Sequence, residues 1–527
     1  MLHVRLVKTS SGATAVQVIR YQERKRVIVR HVGSAHTPSE LAVLKKTAGR
    51  WIDRYTRQQY LFPLEKEEAP NLIPIDKLQN LGFRCLFAYE VINRLFSLLG
   101  YTGLNNRLLL DLVLIRMIQP ASKAESLNLL SDLFGIKHDR SFLYRNLKKI
   151  TALKETAERI TIDFAKKQFA FDFTLVFYDV TTLYFESFKE DEDTLDSEGN
   201  VTEKGLKKDG FSKDFRFNQP QIVIGLMVTK EGFPIAHEIF EGNIFEGDTF
   251  IPVVTGFKKR YRIGTLTVVA DAAMISLDNI QKLEENQLSY IVGGRIANLK
   301  KSEIKAIHKE LAGQTPESEL PQRDGISMNF QTERGLLVCD FSFNRYRKDL
   351  TEMEKQVVKA EKLVRENTGG KRTKFLKLVK GKEKEKIYEV NTSLIEKTKL
   401  LLGIKGYYTN LLTPDSKLTN QDIINQYHNL WQVEKAFRIA KSDLQIRPVY
   451  HFKRRAIEVH LLICFMALAV CTYLEIKSGK STDKIIKLLK SVTDARLLNT
   501  LTCKEIIIRS EISPEIRSLM KKLSLSH

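Results

Sequence analysis

The sequence predicts an α/β protein whose core is a mixed sheet flanked by helices, preceded by a helical segment and interrupted by a mostly β insertion. Three observations lead there. Four apolar runs of strand length, FTLVFYD (173–179), QIVIGLMVT (221–229), FPIAHEIF (233–240) and LTVVAD (266–271), are rich in β-branched and aromatic residues. Helix-spaced segments, FIPVVTGFKKRY and SLDNIQKLEEN, flank the fourth run, and a further strand, SYIVGG, follows. Upstream, RCLFAYEVINRLFSLLG and NRLLLDLVLIRMI repeat apolar residues every three or four positions, as buried helix faces do.

With 527 residues, the chain is long enough for two to four domains at about 100–200 residues each. Residues 1–75 read as a hairpin and a helix: VQVIRYQERKRVIVRHV alternates like strands. TPSEL then starts a helix, with Thr37 as N-cap, Pro38 at the first position and Glu40 closing a capping box. Residues 76–168 read as a helical, DNA-binding domain, its basic faces carrying Ser122, Lys123, Arg140, Tyr144, Arg145, Lys148 and Lys149. Residues 169–295 and 407–455 form the sheet core, with TKEG as the turn between its second and third strands.

Residues 296–406 change character and read as the insertion, with strands SMNFQT and GLLVCDFSF, a charged helix over 349–366 and a Lys-rich stretch, GGKRTKFLKLVKGKEKEK. YYTNLL resumes the core, and residues 420–444 read as one long amphipathic helix. Residues 456–527 read as helical. Within them LLICFMALAVCTYL is a 14-residue apolar run, short for a bilayer span and better suited to a core helix.

The charge narrows the partners. Eighty-four Lys and Arg against 63 Asp and Glu leave +21, which suits a polyanion, with nucleic acid the first candidate. Five cysteines without a CxxC pair suggest neither a disulfide framework nor a zinc knuckle. The N-terminus lacks a signal-peptide core, and a reducing cytoplasm is the expected setting.

Two acids occupy equivalent places: Asp179 ends FTLVFYD and Asp271 ends LTVVAD. Carboxylates at strand ends of an open sheet converge on one edge, where hard oxygen ligands can hold Mg²⁺ or Mn²⁺. Singly, either is as readily the cap of the turn that follows. A third acid, Glu434, lies beside the apolar stripe Leu430, Val433, Phe437 and Ala440, against the alternative of an exposed pair with Arg438. Asp214 is the rival carboxylate, and Trp431 reads as core packing ahead of a base-stacking platform.

The ordered blocks YDVTTLYFE, DGFSKDFRFNQPQIVIGLMV, GNIFEGDTF, VVADAAMIS and YHNLWQVEKAFRIAKSDLQIRPVYH resemble DDE transposases of bacterial insertion sequences. More narrowly they are similar to the insertion-sequence family-four superfamily, over about residues 80–475. The resemblance implies an RNase H-like core with the insertion before its last acid. It implies that Asp179, Asp271 and Glu434 are the catalytic, metal-binding triad, holding two Mg²⁺ ions for which Mn²⁺ can substitute.

That superfamily sets a Tyr seven residues before its last acid and a Lys seven after, where Tyr427 and Lys441 stand here. Its Arg position is Leu430, a departure that leaves the phosphate contact to Arg438 or Lys435 or unmade. Tyr427, Lys441, Lys213, Arg216 and Arg438 are the expected DNA contacts. The implied activity is binding of terminal inverted repeats, strand cleavage and strand transfer by a homodimer or larger synaptic assembly on DNA. The alternatives are an RNase H-like metal-dependent nuclease and an inactive DNA-binding relative.

Overall fold

The computed structural model describes residues 2–22, 25–57, 75–211, 218–274, 276–313, 315–366, 373–380 and 386–525. They divide into two compact units, Met1–Leu78 and Gln79–His527. In the first, β1 (Leu2–Lys8), β2 (Thr14–Gln22) and β3 (Lys25–Ala35) form an antiparallel sheet with β2 in the middle. Helix α1 (Pro38–Arg57) covers one face, burying Val16 and Val18 against Ala48. Its capping box forms as predicted: the Glu40 N–H donates to Thr37 Oγ1, and the Thr37 N–H to Glu40 Oε2, both at 3.3 Å. A third strand thus joins the expected hairpin.

A strand, Leu78–Arg84, starts at the last residue of the first unit, where helix was expected. Five helices follow: α2 (Leu86–Leu99), α3 (Arg107–Ile118), α4 (Lys123–Phe134), α5 (Arg140–Thr151) and α6 (Lys154–Phe169). The face of α5 is basic and open at Arg140, Arg145, Lys148 and Lys149. Lys123 departs from the expected exposed set. It is buried, and its Nζ donates to the Ala456 carbonyl at 2.8 Å.

The core strands are β4 (Val176–Tyr184), β5 (Gln221–Val228), β6 (Pro234–Glu241), β7 (Thr267–Ala270) and β8 (Ser289–Gly294), with α7 (Glu246–Arg260) and α8 (Leu277–Glu285) beside them. The segment between β8 and the last core strand holds α9 (Lys301–Leu311), β9 (Ser327–Thr332), β10 (Gly335–Phe341), α10 (Phe343–Arg365), a hairpin of Leu376–Lys380 with Lys386–Val390, and α11 (Thr392–Lys399). Three helices therefore accompany its strands, and β9 and β10 do not stand apart: they extend the core sheet through β11 (Ile404–Thr409). The sheet runs β9-β10-β11-β8-β7-β4-β5-β6. β4, β5 and β6 are successive antiparallel neighbours, while β7 runs parallel to both β4 and β8. This is the RNase H-like order.

The predicted helix over 420–444 is two helices, α12 (Asn420–His428) and α13 (Trp431–Ser442). Between them the Leu430 N–H bonds the Tyr427 carbonyl and the Val433 N–H the Leu430 carbonyl, a tightened i→i+3 turn. Helix α14 (Arg454–Ser478) absorbs the apolar run of residues 461–474. By length and composition it could cross a membrane, yet its apolar 18-residue window is 94% buried inside the protein. It packs on α3, α5, α13 and β6 as the central core helix. At about 1.5–3 kcal/mol per fully buried large apolar side chain, it helps join the helical region to the sheet, together with α6, which packs directly on β6. After α15 (Thr482–Ser491) the region expected to be helical carries a hairpin, Asp494–Asn499 with Lys504–Arg509, driven by the β-branched run Ile506, Ile507 and Ile508, before α16 (Pro514–Lys522).

Candidate active site

The site begins on β4. Val176, Phe177 and Tyr178 are buried, and Tyr178 crosses over Gly225 to donate to Thr249 Oγ1 at 2.9 Å, which anchors the strand to α7. Asp179 follows. It was expected to end its strand, but β4 continues to Tyr184 because Val180, Thr181 and Thr182, all β-branched, stay paired with β5. What ends at Asp179 is the pairing with β7. Tyr178 lies beside Ala270, the last residue of that parallel strand, so Asp179 and Asp271 are the residues that directly follow the last paired positions of the two strands.

Asp271 is exposed, having left the sheet one residue beyond β7. Its Oδ1 accepts from Tyr427 Oη at 3.2 Å. Room for that phenol comes from Gly293 on β8, where a Cβ would sit 2.5 Å from Tyr427 Oη. Burial first, and then the charge of Asp271, hold the Tyr427 phenol well above its ordinary pKa, so it stays a donor.

Glu434 lies in the first turn of α13, exposed, and makes no hydrogen bond or ion pair with any described residue. The alternative pairing with Arg438 is not formed. Leu430, Val433, Phe437 and Ala440 are buried as the stripe predicted, which seats α13 on β4 and β5. Between α13 and β4 opens a cleft of about 470 Å³ lined by Asp179, Thr181, Glu434, Arg438, Lys441 and Arg447, among others. Three cations and two carboxylates thus face one space.

Lys441 is fixed there by donating to Thr181 Oγ1 at 2.5 Å. Of the two substitutes for the missing Arg at Leu430, Arg438 lines the cleft, whereas Lys435 is held at 2.9 Å by Glu475 of α14. Trp431, expected in the core, is half exposed as the first residue of α13. Lys213 and Arg216, and the rival Asp214, lie outside the described residues.

Sequence reasoning missed Arg447 and Lys405. Arg447 lies past the helix, where no periodicity marks a face, and its guanidinium stands 5.9 Å from the Tyr184 ring centroid. Lys405 is the second residue of β11 and places its ammonium 4.7 Å from the Tyr427 ring centroid and 5.8 Å from that of Tyr407. Burial lowers its pKa, followed by repulsion from Arg345, while Asp271, Asp340 and Glu434 pull it back up. Strand alternation puts Lys405 and Tyr407 on one face, which was the available signal.

As a cation site the donor set fits in chemistry: three carboxylates, hard oxygen donors, one within β4, one just past the end of β7 and one on the facing helix. They are not yet gathered. Among the described residues no group of three His, Cys, Asp or Glu is close enough to hold an ion.

The family model described as "Transposase DDE domain" matches residues 202–470, and no curated protein matches the chain. Among solved structures, the piggyBac transposase synaptic complex with hairpin DNA is 11% identical, with a TM-score of 0.36 over 78% of this chain and 80% of that one. The Mos1 transposase paired-end complex with left transposon end is 12% identical, with a TM-score of 0.16 over 46% of this chain and 66% of that one.

Proposed function

Because the chain belongs to the transposase DDE domain family, we propose that it binds the terminal inverted repeats of an insertion sequence and catalyses metal-dependent strand cleavage and strand transfer. Asp179, Asp271 and Glu434 are the catalytic residues on this reading and hold two Mg²⁺ ions, or Mn²⁺. Bound divalent ions would supply Lewis acidity, lowering the pKa of water and stabilising the leaving 3′-oxygen. The observation that supports the reading is that Asp179 and Asp271 each follow the last paired residues of two neighbouring parallel strands, and that Glu434 lines the same cleft as Asp179.

The chain's own groups have distinct tasks. Tyr427 holds one oxygen of Asp271, leaving the other to turn toward the cleft. Arg438, Lys441 and Arg447 bind and orient the scissile phosphate and its neighbours, with Thr181 fixing the Lys441 ammonium. Lys213 and Arg216 contact backbone phosphates beside the same edge. No protein nucleophile is needed, since water and then the freed 3′-hydroxyl attack phosphorus in line. Two ends have to be processed together, so the working form is a homodimer or larger assembly on DNA.

The test is cleavage of duplexes carrying the element's ends, in Mg²⁺ or Mn²⁺, by the parent chain and by folded Asp179→Asn, Asp271→Asn and Glu434→Gln variants. Each variant is expected to lose cleavage by at least a hundredfold. Full end-specific cleavage by any of them removes that residue from the site, and cleavage without added ions sinks the mechanism. Cleavage without end preference favours the simple nuclease.

A further inference from the structure

The segment that leaves α13 and enters α14 alternates between buried and open positions. Leu444, Ile446 and Val449 are buried, Gln445 and Tyr450 are exposed, and Arg447 and Pro448 are half-buried. Arg447 lines the catalytic cleft, so whatever fixes this segment fixes a cation of the site. Backbone groups buried past a helix end need partners. The Leu444 and Ile446 N–H groups bond back to the Ile439 and Ala440 carbonyls of α13, and the Val449 N–H donates to the Tyr184 carbonyl of β4 at 3.0 Å. The Leu444 and Ile446 carbonyls turn instead to side chains of two other helices.

Arg116 of α3 donates through Nη1 to the Leu444 carbonyl at 3.5 Å and through Nη2 to that of Ala121 at 2.6 Å. His460 of α14 bonds the Ile446 carbonyl through Nε2 at 2.9 Å. A carbonyl only accepts, so Nε2 carries the proton and the ring donates there. Burial, then Arg116, Lys123 and His451, hold the His460 pKa well below its ordinary value, which keeps the ring neutral with that one N–H. His460 is 3% exposed and Arg116 5%. Apolar side chains would fill the same space without the cost of desolvating polar groups, and the hydrogen bonds are what these residue types add.

We propose that His460 is a positioning residue for Arg447: it clamps the peptide group joining Ile446 to Arg447, and so presents the guanidinium to a DNA phosphate in the cleft. The hold is two-sided. His460 fixes the carbonyl on the amino side of Arg447, with Arg116 securing Leu444 further upstream, and β4 fixes the Val449 N–H on the carboxyl side. A contact group mounted on a loop gains its precision from such supporting bonds, since the loop lacks the regular ladder of a helix or strand. The inference rests on the reading of Arg447 as a phosphate contact, and names what holds it there.

The test is filter binding of duplexes carrying the element's ends by the full chain across a salt series, in EDTA so that no strand is cut. Arg447→Met should lower the slope of log affinity against log salt by about one, as one lost phosphate contact does. His460→Phe fills the space of the ring without its N–H, and should lower the slope by the same amount. The combined variant should show the slope of Arg447→Met alone, because both changes remove one contact. His460→Gln retains an N–H donor and should keep the parent slope. Where His460→Phe does not fold, His460→Asn, whose amide is too short to reach Ile446, takes its place. A parent slope in folded His460→Phe beside a reduced one in Arg447→Met overturns the positioning alone, as does a further fall of about one in the combined variant. An unchanged slope in Arg447→Met fails the reading of Arg447 as a phosphate contact, and the proposal with it.

Discussion

Tyr427 and Asp271, 156 residues apart in the chain, meet at 3.2 Å through the phenolic hydroxyl and Oδ1. The contact ties helix α12 to the end of β7, and it sets one of the three candidate acids before any ion binds. A carboxylate already oriented by a hydrogen bond loses less freedom on taking up a cation.

Tyr427→Phe removes that hydroxyl and keeps the ring against which Lys405 sits. The expected result is a fold stable to within about 1.5 kcal/mol of the parent and a rise of about 10- to 100-fold in the Mg²⁺ concentration giving half-maximal cleavage. A Mg²⁺ titration of end cleavage measures it, and an unchanged midpoint would refute the orienting role.

Gly293→Ala attacks the same contact from the sheet. The new Cβ would stand 2.5 Å from Tyr427 Oη and 2.9 Å from the Ala272 backbone nitrogen, and the backbone cannot give way as a flexible side chain can. Cleavage should fall at least as far as in Tyr427→Phe, with a stability cost of about 1–3 kcal/mol by chemical denaturation. A variant as stable and as active as the parent would show that the sheet edge tolerates the methyl.

Lys405→Met keeps the unbranched stem between Tyr407 and Tyr427 and removes the ammonium facing Asp271 and Glu434. Without that neighbour the two acids should attract cations more strongly, so Mn²⁺ binding by calorimetry on the free protein is expected to tighten several-fold. Weaker Mn²⁺ binding would contradict the assignment.

Lys441→Met should weaken duplex binding and reduce the slope of log affinity against log salt by about one, the signature of one lost phosphate contact. Filter binding across a salt series measures it. A slope equal to the parent's places Lys441 off the DNA path.

Glu158 predicts an acid limb in stability. Burial alone would raise its pKa, but His237, 3.1 Å away, Lys154 and the His237 N–H together hold it below the ordinary 4.5. A depressed folded pKa adds stability above the unfolded value that is lost as pH falls through the folded one. The parent should therefore weaken below about pH 4.5, and Glu158→Gln should flatten that limb while costing about 3 kcal/mol at neutral pH. Urea midpoints from pH 3 to 7 decide it, and an acid limb unchanged in the variant assigns the effect to other groups.

Much of this protein was legible along the chain, because strands and helix faces are written as local periodicities. SYIVGG and SMNFQT are strands at the predicted residues, and the buried stripe of α13 holds at all four positions. The candidate acids Asp179, Asp271 and Glu434 stand out by the same means, although Asp179 lies within its strand and does not end it. The break between α12 and α13 was not legible, since an i→i+3 turn leaves the apolar spacing nearly unchanged. Nor was the extent of β4, whose continuation past Asp179 depends on its partner β5.

Residue type and spacing by themselves determined the strands, the amphipathic faces, the basic balance and the carboxylates available for chemistry. Only the tertiary structure decided which of these meet. Parallel pairing of Tyr178 with Ala270 brings the chain positions of Asp179 and Asp271 next to each other, the absent side chain of Gly293 admits Tyr427, and Lys435 turns to Glu475 while Arg438 keeps the cleft. These outcomes rest on register, steric room and charge between segments far apart in sequence. Local periodicity carries no term for any of them.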